Sequence, residues 1–303
     1  MSGKRRIETN CNIKAGTRSI ERIKWSKFMI KIHNETTISL QSMKSDCSKC
    51  SGLCCIALFF SKMDGFPENK PAGKPCKNLQ KNFQCDIHEE LINKKLKGCI
   101  GYDCFGAGQQ VTQTIYMGQT WQDTACNTKE IFDVFLRTFQ LYQMRYYLME
   151  SMSITPAKEL QENIIALINE NEIICNSNPE SILSFDTEAY RNRVNIILKQ
   201  VCSLLTKSLN SENKKSPSDY LGRSFKHKDL SGLDLSSKLL IAANFSHCSF
   251  HGTIFLGADT RDADFSHADL SDAVFLSQGQ VNAAKGNLNT KLPKHLDYPV
   301  TWK

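Results

Sequence analysis

The sequence has no long apolar run: the longest, Leu53 to Phe60, spans eight residues, far short of the ~20 that a membrane-spanning helix needs. No secretory signal is visible. Lys4-Arg5-Arg6 is not followed by an apolar stretch and a small-residue cleavage site, the features that mark export. GxSxG, HExxH and Walker A sequences are also missing, which removes the commonest hydrolase, zinc-protease and nucleotide-phosphate signatures. Proline is sparse, 8 in 303 residues, in a chain that is 41% hydrophobic and 23% charged. That composition excludes wholesale disorder and a collagen-like chain. Together these absences predict a cytoplasmic protein, in a compartment where clustered cysteines serve metals or chemistry more often than disulfides. The odd total of 13 cysteines also fits a disulfide framework poorly.

The net charge of +7 is confined to one place. Residues 1–45 carry ten Lys/Arg against Glu8, Glu21 and Glu35, whereas 46–215 and 216–303 are each balanced. The segment reads as a basic, poorly ordered leader, and Met29 and Met43 offer later start points within it. A basic arm can bind nucleic acid, but the folded body carries no such excess, so nucleic acid is not the expected partner.

Four zones follow one another, in a chain whose length suits about two domains. After the leader comes a Cys-rich zone, 46–125, punctuated by Gly65-Phe66-Pro67 and Lys70-Pro71-Ala72-Gly73. Residues 126–210 read as a small helical bundle. Asn127 and Glu130 have capping-box spacing ahead of the apolar run Ile131 to Met149. Thr155-Pro156 reads as a helix start. Tyr190, Val194, Ile197, Leu198, Val201, Leu204 and Leu205 mark one helical face. The polar stretch 207–219 is a linker.

From Phe225 a large apolar residue falls at every fifth position to Phe275, ten of 11 being Phe or Leu and Thr260 the exception. Small residues sit two before the later centres, from Ala243 to Ala273. A period of five matches neither helix nor strand, and it requires a narrow coiled solenoid. Lys228, Leu233 and Lys238 break the small-residue rule, so the first turn should be opened out or covered. Ala263-Asp264-Phe265-Ser266-His267-Ala268-Asp269-Leu270 resembles the pentapeptide-repeat family, with its A(D/N)LXX pattern. That resemblance implies a right-handed quadrilateral β-helix within 221–303, with Leu292-Pro293 through Trp302 as its cap. The overall expectation is multidomain: a Cys-rich metal-stapled domain, a small helical bundle and this β-helix.

Eight cysteines lie within 58 residues: Cys47, Cys50, Cys54, Cys55, Cys76, Cys85, Cys99 and Cys104. Cys47-x2-Cys50 is a half-site for tetrahedral zinc or an iron–sulfur cluster, because thiolates so spaced on a turn converge on one soft ion. Eight thiolates suffice for two four-sulfur sites. Cys54 and Cys55, if extended, would point opposite ways and serve different sites, or one would ligate while the other packs. His88 is a further candidate ligand or supporting donor, and Gly106-Ala107-Gly108 reads as a tight turn. Cys47 to Cys55, Cys76-Lys77-Asn78-Leu79, Cys85-Asp86-Ile87-His88-Glu89 and Cys99-x4-Cys104 resemble the zinc- or iron-chelating family defined by CxxCxxCC. One extra residue precedes Cys54-Cys55. The resemblance implies metal binding through these eight.

The expected function is therefore a metal-binding protein, holding zinc or an iron–sulfur cluster, whose β-helix recognises a protein partner. One alternative is a metalloenzyme with an open Cys-ligated site, for which only His88 and Glu89 offer acid–base groups nearby. Another is a DNA-mimic protector of topoisomerases. Residues 223–277 carry seven Asp against five Lys/Arg over roughly 14 Å at about 4.8 Å per turn, too little charge and length for a duplex mimic.

Overall fold

The computed structural model describes residues 40–123, 127–211, 214, 216–217 and 219–302. Most of the basic leader, residues 1–39, and Cys11 and Cys126 lie outside them. Leu40–Lys303 form one compact unit.

The Cys-rich segment holds short helices separated by loops: α1 (Leu53–Ala57), α2 (Lys97–Ile100) and α3 (Ala107–Gln109), the last running into a π-helical turn, Gln110–Ile115. The helical zone follows as α4 (Thr128–Ser151), α5 (Gln161–Cys175), α6 (Pro179–Ser184) and α7 (Thr187–Ser208). Asn127 caps α4, its side chain accepting the Glu130 N–H at 3.3 Å. The Glu130 carboxylate accepts instead from the Tyr116 hydroxyl at 2.9 Å, so a Cys-rich residue takes the acid that the spacing assigned to a capping box.

Helix α4 explains its own apolar excess. Its buried residues include Phe135, Leu141 and Tyr146, which fall on more than one face. Toward the bundle, α4 packs against α5, α6 and α7. Toward the Cys-rich segment, Phe139 meets the rings of Tyr102 and Phe105. Toward the repeat, the Tyr146 hydroxyl donates to Leu276 O at 3.1 Å and Tyr147 sits edge-on to Phe275. One helix thus carries three interfaces.

The repeat corrects the expectation of a right-handed quadrilateral β-helix: among the described residues there is no β-strand. Isolated parallel bridges join successive coils, pairing Ser224 with Asn244, Asp229 with Ser249 and Asp234 with Ile254, 20 residues on within the repeat. The physical reason is the turn in every pentad. Two turn residues recur every five, leaving too little extended chain for a ladder longer than one residue. The centre N–H groups donate to the next coil, as Phe225 N to Asn244 O at 2.7 Å and Leu230 N to Ser249 O at 2.9 Å. The second turn residue takes positive φ in succession, as at His227, Gly232, Ser237, Ala242 and His247. Where the bridge position is Asp or Asn, its side chain also holds the turn, Asp229 accepting from Ser231 N and Asp264 from Ser266 N.

Inside the coil, Phe225, Phe245 and Phe265 stack at 5.4 and 5.5 Å. Thr260, the exceptional centre, is 2% exposed and donates its hydroxyl to Gln280 O at 2.7 Å, which ties the coil to helix α8 (Gln278–Ala283). Of the first-turn exceptions, Lys228 is exposed, Lys238 half-buried and Leu233 buried. Tyr220 covers that end, its ring 5.0 Å from Phe225. At the other end the non-repeating tail continues the bridging through Lys285 and Lys291, and buried Trp302 lies against Gly286 and donates to Ala284 O.

Candidate metal centre

The first pair is set by a turn. Asp46 accepts the Ser48 N–H at 3.0 Å and starts the 3-10 turn Cys47–Lys49, which closes through Cys50 N to Cys47 O. Gly52, at φ 69, then opens α1. Cys54 and Cys55 are therefore helical rather than extended, and their sulfurs stand 3.9 Å apart. Cys76 is tied to this helix by its N–H donating to Cys55 O at 3.0 Å. Cys85 is bridged to Leu79, Cys99 lies on α2, and Cys104 follows in the loop before α3. The Cys104 sulfur is 3.1 Å from the Ser45 hydroxyl.

These elements bring the predicted cysteines together. A cavity of about 300 Å³ is lined by seven of the eight, Cys76 being the other, and also by His88. Its remaining wall mixes apolar residues, including Phe60, Phe66, Phe83 and Leu91, with the polar Asp46, Asp64, Gln84 and Gln109. Two groups are discernible by electrostatic reach. Cys50, Cys104 and Cys55 act on both Cys47 and Cys54, while Cys55, with Cys76 and Cys85, also acts on Cys99. The groups adjoin at the Cys54–Cys55 pair.

Burial and mutual repulsion hold most of these thiols protonated in the absence of a cation. Cys99 is pushed up to about 12, burial being the larger cause. Cys54 is raised, first by hydrogen bonding to Cys55 and then by burial, whereas the same bond lowers Cys55, helped by the Lys70 charge. Cys55 is thus the thiol most ready to ionise within this pair, with Cys54 donating to it. Thiolates are the metal-binding form.

The donor set suits a thiophilic metal in chemistry and location. It is gathered rather than closed: among the described residues no three His, Cys, Asp or Glu side chains stand in metal-holding geometry. Gly108 shapes the space, since a Cβ there would lie 2.6 Å from Cys50 Sγ and 3.8 Å from Cys104 Sγ. The sequence reading as a mere turn missed this role. It also missed Tyr102, whose buried hydroxyl has no partner among the described residues, and Lys70. Neither residue type signals a site by itself; only the fold places them beside cysteines distant in sequence. Cys175, Cys202 and Cys248 are buried elsewhere, where Cys175 donates to Asn171 Oδ1 at 3.5 Å and Cys248 to Phe225 O at 2.9 Å.

The repeat has a match to a known family model, pentapeptide repeats, in eight copies over residues 239–275. A Bacillus subtilis (strain 168) protein, "Uncharacterized protein YybG", is 39% identical over 267 residues, covering 86% of this chain and 95% of its own. The chain belongs to the YybG family. No solved structure matches. The match to the repeat model does not extend to Cys47–Cys104, so for this YybG relative the metal reading rests on the site's own residues. No described helix is long and apolar enough to cross a membrane.

Proposed function

We propose that the protein binds metal, zinc or an iron–sulfur cluster, through Cys47, Cys50, Cys54, Cys55, Cys76, Cys85, Cys99 and Cys104. The observation that carries this reading is the convergence of seven of these cysteines, from five separate segments, on one cavity. Ordinary packing cysteines scatter, as Cys175, Cys202 and Cys248 do. The two electrostatic groups favour two four-sulfur sites, Cys47/Cys50/Cys54/Cys104 and Cys55/Cys76/Cys85/Cys99. The pentad coil serves as a support and as a surface for a protein partner, on the side where His227, His247 and His267 stack in the open at 4.6 and 4.5 Å. A second reading, a metalloenzyme with an open coordination position, draws on His88, which lines the same cavity and offers an acid–base group there.

Serine substitutions test the partition. Cys50→Ser and Cys99→Ser should each remove one of about two bound equivalents, and the double variant both. Loss of all metal in either single variant would point to one shared site instead. Unchanged metal content in all three variants would remove these cysteines from the ligand set.

A further inference from the structure

Lys70 is held in an unusual way for a half-buried lysine. Its backbone pairs with Phe60 in both directions, Phe60 N to Lys70 O at 3.0 Å and Lys70 N to Phe60 O at 2.9 Å. The ammonium lies 4.6 Å from the Phe60 ring centroid. It then donates to three backbone carbonyls: Ile56 at 3.2 Å, Pro71 at 3.1 Å and Lys74 at 2.7 Å. An ammonium has three N–H donors, so each has an acceptor. All three acceptors are neutral, and no Asp or Glu among the described residues acts on this charge. The groups that do act on it are Cys76, Cys55 and Cys54.

The positions of those carbonyls matter. Ile56 follows Cys55 in α1, and Lys74 lies two residues before Cys76, whose own N–H donates to Cys55 O. The ammonium therefore joins the two chain segments that present Cys55 and Cys76. A divalent ion held by four thiolates carries a net charge of about −2, and burying uncompensated charge is unfavourable. A cation fixed by neutral dipoles, rather than by a carboxylate, keeps its charge available for that purpose.

We infer that Lys70 is a positioning residue and the built-in counter-charge of the Cys55/Cys76/Cys85/Cys99 group. This inference rests on the metal reading above. Lys70 holds two of the ligands in register and offsets part of the thiolate charge, so that this group binds its metal more tightly than four thiols alone would. In the other group, Asp46 beside Cys47 opposes its ionisation, and the neighbouring Lys49 pairs with Asp46 at 3.0 Å.

The test compares Lys70→Gln with Lys70→Arg in the full chain. Glutamine keeps amide donors for the carbonyls and loses the charge; arginine keeps the charge and alters the donor geometry. Zinc affinity is read by competition with a chromophoric chelator, with circular dichroism as the check on folding. Lys70→Gln should weaken one bound equivalent about tenfold, or ~1.4 kcal/mol, while Lys70→Arg should stay within about threefold of wild type. If both variants weaken equally, or neither does while wild type binds zinc, the counter-charge role is overturned. If wild type itself takes up no zinc, the metal reading fails first and this inference with it.

Discussion

Glu150 is the residue on which the packing of α4 against the repeat turns. It is 5% exposed, accepts the Phe275 N–H at 2.7 Å through Oε1, and has no partner for Oε2 among the described residues. Burial pushes its carboxyl from the usual 4.5 up to about 8, against the small opposing effect of the Phe275 bond. The unfolded chain releases this proton near pH 4.5 and the folded chain near pH 8. The native state therefore binds the extra proton between those values, and stability falls as pH rises through the window by about 1.4 kcal/mol per pH unit. Below pH 4.5 the contribution is intact; above pH 8 its loss is complete. Glu150→Gln should flatten this slope and melt higher than wild type at pH 8 to 9. Parallel pH slopes for the two proteins in thermal melts would contradict the assignment. Gly108→Ala makes the second residue-scale prediction: its Cβ would fall 2.6 Å from Cys50 Sγ, and overpacking of this kind costs about 1–3 kcal/mol. Chemical denaturation should show that loss, together with reduced metal content. The cysteines were legible because their type and spacing carry the chemistry. Gly108, Lys70 and Tyr102 were not, because their meaning comes from sulfurs that tertiary folding brings beside them.

At the scale of elements, the pentad was readable from its period, since only a coil returns every fifth residue to the interior. What the period could not supply was the pairing. A turn in every pentad leaves one bridging residue, so the expected strands do not form, and the coil depends on its packed centre instead. Phe265 stacks on Phe245 and meets Phe250 and Phe255 at 5.6 and 6.1 Å. Phe265→Ala should cost about 3–5 kcal/mol in urea unfolding; less than ~1 kcal/mol would mean that the coil is held by its ends. Thr260 looked like a defect in the pattern. It is instead the tie to α8 through Gln280 O, a contact with residues outside the repeat. Similarly, Cys54 and Cys55, considered as an extended pair in the sequence, are helical, because Gly52 in the left-handed region starts a helix there.

At the scale of the molecule, the zones seen along the sequence do not stand apart. Helix α4 touches all three, Lys97 Nζ pairs with Asp262 at 2.7 Å, and Gly279 has no Cβ to collide with Gly101 O, 3.0 Å from where it would lie. The Cys99–Cys104 loop is thus seated directly on the cap of the repeat. This arrangement predicts joint unfolding. Variants retaining only Trp121, beside Phe83, or only Trp302, in the repeat's cap, should report coincident denaturation curves. Well-separated midpoints would show that the repeat folds without the thiol-bearing segment. The basic leader contributes nothing to this account beyond the charge balance, which without it is neutral. The proposed metal binding involves eight cysteines, seven of which line one cavity. Elemental analysis with a visible spectrum, on protein purified without oxygen, tests it most directly. About two zinc ions in a colourless protein, or iron with sulfide in a brown one, is the predicted result. Less than ~0.2 metal per chain, with all the thiols titratable in the native state, would contradict it.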